Sequence, residues 1–141
     1  MKKVMGIMLA ALLTVGVVMG QSRKTKEHAA KPITGQCHCG HVKYRVQGRV
    51  IKCSYCDCAG CRRATGTLKA PFVTVRRSDF TITAGEPSCF RSTSKAKCDC
   101  HGDWYFCPRC GTQVFWKGHK GNELDIFAGT LDDVTLFQCK E

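Results

Sequence analysis

The sequence predicts a small, mostly β domain. The clearest observation is an alternation of polar and apolar residues over 41–46, which is typical of a half-buried strand. A second observation is that no stretch of ten or more residues after the first 31 shows a strong helical period. The third is length, because 141 residues hold one domain at most.

The other elements follow from short apolar segments between turn-forming residues. Pro71 is expected at a sheet edge or a bulge because it cannot donate a ladder hydrogen bond. One helical turn is expected after Cys58, and residues 84–87 and 129–133 are predicted turns. In chain order, the further strands are predicted at 50–53, 67–75, 80–83, 89–93, 104–106, 112–116 and 124–127.

The first 31 residues are expected to lie outside this domain. Residues 1–20 have a basic start, an apolar run over 4–20 and small residues near its end, which is the pattern of a secretory signal peptide. The run is also at the short limit of a membrane-spanning helix, so an uncleaved anchor stays open. Residues 21–31 are predicted to be a linker, which leaves 32–141 as the folded domain. We therefore expect a periplasmic or secreted protein, membrane-anchored only if residues 4–20 are retained, in preference to a cytoplasmic one.

The charge of this domain argues against a nucleic-acid partner. The formal net charge is +11, but +5 of it falls before residue 32. The remaining basic residues include doublets at 62–63 and 76–77 and form no basic run. No clustered basic patch of the kind that binds nucleic acid is therefore expected. The sequence predicts no particular oligomeric state.

Twelve cysteines in 141 residues are the strongest compositional signal. An exported chain uses cysteines mainly in disulfides, whereas a cytosolic one uses them for metal binding or catalysis. Neighbouring C-x-C pairs would make strained disulfides, because a disulfide requires a narrow geometry. Such pairs bind a metal readily. We therefore predict metal sites, with a disulfide framework as the alternative.

One predicted site combines two distant cysteine pairs. Cys107 and Cys110 form a C-x-x-C knuckle in which backbone N–H groups can point at sulfur, between two strands that make a zinc-ribbon-type hairpin. With Cys37 and Cys39 they supply the four thiolates of a closed structural zinc site. That metal would join the first strand to the late hairpin. Two local disulfides are the alternative.

The second predicted site is a C-x-C-x-x-C array of Cys56, Cys58 and Cys61. Three protein ligands leave the fourth position of a zinc ion open, which is the arrangement of a catalytic site. Zinc in such a site can favour deprotonation of a bound thiol or water near neutral pH. Spacing alone fits a second structural zinc equally well, with its fourth ligand from Cys53, Cys98, Cys100 or a histidine.

The roles of several other residues stay open at the level of sequence. Arg62 and Arg63 could bind substrate carboxylates, since guanidinium groups match carboxylate geometry, or they could be solvated surface charge. The segment 98–101, with two cysteines and a histidine, could be a third metal site, a redox pair or the source of a fourth ligand, or its cysteines could be surface residues without a role. Three further cysteines are expected to be small buried hydrophobic residues: Cys53, Cys89 and Cys139.

Four motifs together resemble a known family. They are GQCHCGHVKY at 35–44, YCDCAGCRRATG at 55–66, FCPRCGT at 106–112 and GTLDD at 129–133. Their order and spacing resemble the GFA family, the glutathione-dependent formaldehyde-activating enzymes, whose domain is shared with centromere protein V. The resemblance spans about residues 34–133. Ala59, where relatives often have a hydroxyl residue, departs from the family pattern.

The resemblance implies a fold, two cofactors and an activity. The fold would be all-β, tent-like and stabilised by zinc, with two zinc ions per chain. The four-cysteine site would be structural and the three-cysteine site catalytic. The activity would be that of a carbon–sulfur lyase that forms S-hydroxymethylglutathione, or a related thiol–aldehyde adduct, from formaldehyde and glutathione, with Arg62 or Arg63 holding a glutathione carboxylate.

A second function remains open at the level of sequence. The centromere-protein branch of the domain raises the alternative of a non-catalytic zinc-binding interaction module, exported or membrane-anchored. Glutathione is mainly cytoplasmic, so an exported member of the family could use another thiol or aldehyde, or none. The two functions differ at the central site, which must have an exchangeable ligand position in an enzyme.

Overall fold

The computed structural model describes residues 31–91 and 101–139. The predicted signal or anchor, residues 1–20, lies outside this range, as does the predicted linker up to residue 30. No helix in the described segments is long and apolar enough to cross a membrane. The elements are β1 Ile33–Gln36, β2 Lys43–Val46, β3 Lys52–Cys56, α1 Ala59–Thr65, β4 Ala70–Arg76, β5 Phe80–Ala84, β6 Ser88–Arg91, β7 Gly102–Phe106, β8 Gln113–Gly118 and β9 Glu123–Phe127.

The expected mostly β fold is confirmed, as two antiparallel sheets. A small sheet has the order β1-β2-β5, and a large sheet has the order β3-β4-β9-β8-β7-β6. The helix α1 follows Cys58 as expected, although it has two turns where one was predicted. Three short 3-10 segments complete the described chain: Arg77–Asp79, Ala128–Thr130 and Val134–Leu136.

The main core lies between the two sheets. The predicted alternation in β2 is confirmed, since Tyr44 and Val46 are buried while Lys43 and Arg45 are exposed. Their buried side chains join a core cluster with residues of the large sheet, among them Val73. The Tyr44 ring stacks on Phe80 with centroids 5.3 Å apart, and its hydroxyl lies 2.9 Å from the Thr130 hydroxyl. These contacts hold the small sheet against the large one.

A second, smaller core lies on the opposite face of the large sheet. The strand β4 is buried on both faces: Val73 and Val75 belong to the main core, whereas Phe72 belongs to the second cluster. Phe72 packs against Phe127 with ring centroids 4.7 Å apart. This second core includes Cys61 of α1, so the three-cysteine segment packs against its apolar side chains.

The boundaries of several strands, and the setting of Pro71, differ from the sequence prediction. The strand β3 starts later and extends to Cys56, so it leads directly into the cysteine array. The strand β4 lies between β3 and β9, so Pro71 is not on an edge strand as expected. Pro71 pairs with Tyr55, but the ladder to β9 begins one residue later, at Phe72. The proline therefore lies where β4 has a paired neighbour on one side only.

The expectation that three cysteines are buried is wrong. Cys89 is exposed, because β6 is the outer strand of the large sheet. Cys53 is half-buried, because β3 is the other outer strand and Cys53 packs at the border of the main core. Cys139 is also half-buried, in the chain after the last 3-10 segment.

Candidate metal centres

The first cluster is built from two similar turns. In one, the Cys37 N–H donates to the Val42 carbonyl and the Gly40 N–H to the Cys37 carbonyl, both at 3.0 Å. In the other, the Cys107 N–H donates to the Thr112 carbonyl and the Gly111 N–H to the Cys107 carbonyl, both at 2.9 Å. Each turn closes on a glycine with positive φ, 71° at Gly40 and 74° at Gly111. Only glycine adopts this conformation without strain, which explains the glycine in each motif.

The four sulfur atoms of this cluster have the spacing of a zinc site. The sulfurs of Cys37, Cys39, Cys107 and Cys110 all lie within 4.8 Å of one another. The Cys39 sulfur is 3.6 Å from that of Cys37 and 3.7 Å from that of Cys107. A tetrahedral zinc with Zn–S bonds of ~2.3 Å separates its sulfurs by about 3.8 Å. These distances are much longer than a disulfide bond of ~2.05 Å, so the donor set fits a metal.

Hydrogen bonds stabilise thiolates in this cluster. The Thr112 hydroxyl lies 3.2 Å from the Cys110 sulfur, and hydrogen bonds from Thr112 lower the pKa of Cys110 to about 5. Burial and the Cys110 thiol act to raise the pKa of Cys37, but the Val42 N–H, 3.3 Å from its sulfur, and the thiols of Cys107 and Cys39 lower it. Cys39 differs: the His41 N–H acts to lower its pKa, whereas burial and the other three thiols raise it to about 11. Four crowded sulfurs therefore need a cation to be fully ionised.

The second cluster is contained in a single short segment. Cys56 ends β3, Cys58 is the N-cap of α1, and Cys61 lies in the first turn of that helix. The Cys61 N–H donates to the Cys58 sulfur at 3.4 Å, so the sulfur takes the capping role that a serine or aspartate oxygen usually fills. The helix ends at Gly66, whose φ of 70° permits the N–H to reach the Arg62 carbonyl.

The structure brings the three sulfurs of this segment together. Those of Cys56, Cys58 and Cys61 lie within 4.8 Å of one another, and no fourth His, Cys, Asp or Glu of the described residues joins them. Cys53, one candidate for the fourth ligand, is outside the group, as is His101. The other two candidates, at positions 98 and 100, lie outside the described residues.

The surroundings of this cluster are apolar. Cys61 is buried against Ala70, Phe72, Trp104 and Phe127. Burial raises the pKa of Cys61, and the thiols of Cys56 and Cys58 raise it further. The Cys61 thiol is therefore a poor resting thiolate unless a cation is bound, and a zinc ion would fit the three-sulfur donor set.

The two predicted arginines lie on the same helix as Cys61. Both are exposed, and the Arg62 guanidinium donates from Nη1 to the Asp57 carbonyl at 2.6 Å. This hydrogen bond joins the Arg62 side chain to the residue before the N-cap of α1. Arg63 has no ion-pair partner within residues 31–91 and 101–139.

A cavity of about 830 Å³ lies away from both clusters. It is lined by Arg49, Arg76 and Arg77, among others. The β3–β4 ladder runs from Lys52–Thr74 at the end near this cavity to Cys56–Ala70 at the three-cysteine end. The cavity is therefore at the opposite end of the two strands from the second cluster, and we assign it no part in chemistry there.

Fold and sites together define a class: a small, mostly β, cysteine-rich domain with two cysteine clusters that could hold zinc. The family model described as "Glutathione-dependent formaldehyde-activating enzyme" (GFA) matches residues 32–141. The chain belongs to this family, and the resemblance of its motifs is confirmed.

Solved structures support the fold independently. A Rhodobacter sphaeroides protein of known crystal structure is similar to this chain with a TM-score of 0.56 and 24% sequence identity. The similarity covers 70% of this chain and 87% of that protein, and it shows a shared fold. No functionally curated protein matches the chain in sequence.

Proposed function

We propose that this protein is a zinc-dependent carbon–sulfur lyase that joins formaldehyde and a thiol, with glutathione as the first candidate, to form S-hydroxymethylglutathione or a related adduct. The observation that carries the proposal is the three-sulfur cluster, which among the described residues has one ligand fewer than a closed zinc site. Membership of the formaldehyde-activating family supports a thiol and an aldehyde as substrates. Two zinc ions per chain, one in each cluster, are part of the proposal.

The three cysteines would hold a zinc ion beside the reacting groups. Zinc in such a site supplies Lewis-acid stabilisation of the anionic form of a substrate thiol. The Cys61 N–H fixes the Cys58 sulfur at the start of α1, so the ligand is already oriented before metal binds. Because Cys56 ends a strand and Cys61 lies in a helix, regular backbone holds both neighbouring ligands in place.

The apolar floor of the cluster would serve to exclude water. Phe72, Trp104 and Phe127 pack around Cys61 and are nearly fully buried. Removing water from one side of the site strengthens the electrostatic stabilisation of a developing thiolate. It also favours the adduct, which is formed by addition to the aldehyde, over hydration of the aldehyde.

Arg63 is the better candidate for a substrate-binding arginine. Arg62 already donates to the Asp57 carbonyl, whereas Arg63 is exposed on the same helix. A guanidinium at that place can pair with a carboxylate of glutathione and so orient its thiol. Arg62 would then mainly stabilise the start of α1, through its hydrogen bond to the Asp57 carbonyl.

Adduct formation above the uncatalysed rate tests the proposal. Zinc-loaded full-length protein is mixed with glutathione and formaldehyde, and the rate of exchange between free and adduct forms is followed by NMR. We expect acceleration by the native protein and by Cys89→Ser, whose altered residue is exposed on an outer strand. Cys56→Ser should lose the acceleration. Equal rates for Cys56→Ser and native protein at full zinc content would overturn the proposal.

The proposed export of the protein affects the identity of the thiol. If residues 1–20 direct the chain out of the cytoplasm, free cysteine and other small thiols become candidates beside glutathione. The same assay with these thiols ranks them by rate. Sequencing of the N-terminus of the protein from its native host tests cleavage. Nothing in the family match or in the described residues supports the alternative of a non-catalytic interaction module.

A further inference from the structure

Two cysteines outside both metal centres lie against each other. Cys53 is on β3, and Cys139 is the last residue of the described chain. Burial and the neighbouring Cys53 thiol raise the pKa of Cys139, and each of the two residues is half-buried. Neither is in a disulfide in this structure. The pair therefore joins an outer strand of the large sheet to the end of the chain.

A second contact supports the same alignment of the two segments. The ring of Phe137 meets that of Tyr55 edge-on, with centroids 5.2 Å apart and planes at 90°. Tyr55 follows Cys53 by two residues on β3, and Phe137 precedes Cys139 by two residues. The two contacts thus place the end of the chain alongside β3 in the antiparallel direction, over about 7 Å of strand. Leu136 and Phe137 also pack against the main core.

Cys53 borders a cavity that a small molecule could enter. A cavity of about 560 Å³ is lined by Cys53 together with Lys52, Leu136 and Gln138, among others. A small disulfide in this cavity could reach the Cys53 sulfur. Cys89 is more exposed, and its thiol interacts with the Tyr105 hydroxyl and not with a second cysteine, so it offers a control for exposure.

We propose that Cys53 and Cys139 are a modification site, and that they form a disulfide when the protein meets an oxidising small disulfide. In the first step one thiolate attacks the small disulfide, forms a mixed disulfide and releases one small thiol. In the second step the other thiolate attacks the mixed disulfide and releases the second small thiol. The two protein thiols lose two electrons and two protons, and the small disulfide takes them up as two thiols.

This disulfide would fasten the end of the chain to the strand that carries Cys56. It would close a loop of 87 residues, from 53 to 139. A crosslink of that span stabilises mainly by restricting the unfolded chain, so we expect the melting temperature to rise by about 5–15 °C. The inference goes beyond the proposed function, because it needs neither the aldehyde chemistry nor an open zinc position.

Peptide mapping after oxidation tests the proposal. Zinc-loaded full-length protein is incubated with oxidised glutathione, its remaining thiols are alkylated, and it is digested with trypsin without reductant. Trypsin releases Cys139 in peptide 121–140, which has no other cysteine, and Cys53 in peptide 53–62 together with Cys56, Cys58 and Cys61. We expect these two peptides to be crosslinked in the native protein, at unchanged zinc content.

Two variants assign the crosslink within peptide 53–62. Cys53→Ser should lose both the crosslink and the rise in melting temperature, whereas Cys89→Ser should keep both. A crosslink that persists in Cys53→Ser would overturn the proposal, because a metal-site cysteine would then be the partner. So would native protein in which Cys139 is recovered only alkylated or only as a mixed disulfide with glutathione. Adduct formation is measured in a separate assay. The crosslinking results can therefore be interpreted even if the protein does not accelerate adduct formation.

Discussion

The two cysteine clusters differ in what they join. The first takes its ligands from two turns whose cysteines, Cys39 and Cys107, are 68 residues apart. It connects the turn between β1 and β2 of the small sheet to the turn between β7 and β8 of the large sheet. The second takes all its ligands from residues 56–61 and joins only the end of β3 to the start of α1. A metal in the first cluster would therefore crosslink the two sheets, whereas a metal in the second would lie at one edge of the fold.

The surroundings of the sulfurs differ in the same direction. Hydrogen bonds lower the pKa of Cys37 and Cys110 in the first cluster, although burial opposes this at Cys37. In the second cluster, burial against aromatic side chains and two neighbouring thiols raise the pKa of Cys61. Cys39 is an exception in the first cluster, because burial and the other three thiols raise its pKa to about 11. The topology gives the clearer difference: a metal in the first cluster would link the two sheets, whereas a metal in the second would link residues of one segment, so we expect the fold to depend less on the second.

The largest effect is expected from breaking the first cluster. Cys107→Ser should remove one zinc and lower the free energy of unfolding by more than about 5 kcal/mol, because the metal joins the two sheets. Urea denaturation followed by near-ultraviolet circular dichroism measures this. Cys89→Ser is the control, with an expected change within about 1 kcal/mol. A Cys107→Ser protein as stable as the control would show that the first cluster does not crosslink the fold.

Breaking the second cluster should separate activity from stability. Cys58→Ser should lose the second zinc and lower adduct formation at least ~100-fold, while unfolding free energy falls by less than about 2 kcal/mol. Serine retains the N-cap of α1, so Cys58→Ala should cost about 1 kcal/mol more than Cys58→Ser. Zinc analysis and urea denaturation of both variants check this. Unfolding of Cys58→Ser at the level of Cys107→Ser would erase the difference between the clusters.

The smallest effect is expected at the helix that carries the second cluster. Arg63→Gln should raise the KM for glutathione about 10-fold with kcat nearly unchanged, because it removes uniform binding of a carboxylate. Arg45→Gln, at an exposed position of β2, is the charge-matched control and should leave both constants unchanged. Steady-state kinetics of both variants measure KM and kcat for glutathione. Equal KM values for the two variants would exclude Arg63 from substrate binding.

Much of this comparison could be predicted from the sequence, because local spacing controls it. The C-x-x-C spacing of Cys107 and Cys110 predicts a tight knuckle, and the structure has this turn with Gly111 at positive φ. The C-x-C-x-x-C segment predicts sulfurs at one centre, and the structure brings them within 4.8 Å. The alternation in β2 predicts its buried face for the same local reason.

What could not be predicted depends on pairing between distant segments. No local signal in the sequence indicates that β9 lies between β4 and β8. This pairing makes β4 an interior strand, whereas Pro71 indicated a sheet edge or a bulge. The exposure of Cys89 follows from β6 being outermost in that sheet. The contact between Cys53 and Cys139 requires the end of the chain to return to β3, and no spacing in the sequence indicates this.

The central claim, one closed and one open zinc site, is tested most directly by X-ray absorption spectroscopy on zinc-loaded full-length protein with a parallel zinc count. We expect two zinc ions per chain and an average of about 3.5 sulfur ligands per zinc. This average should rise toward about 4 when glutathione is added. Cys58→Ser should give about one zinc with four sulfurs. The assignment of one closed and one open site would be contradicted if both zinc ions already had four sulfur ligands before any thiol was added. It would also be contradicted if the chain bound no zinc.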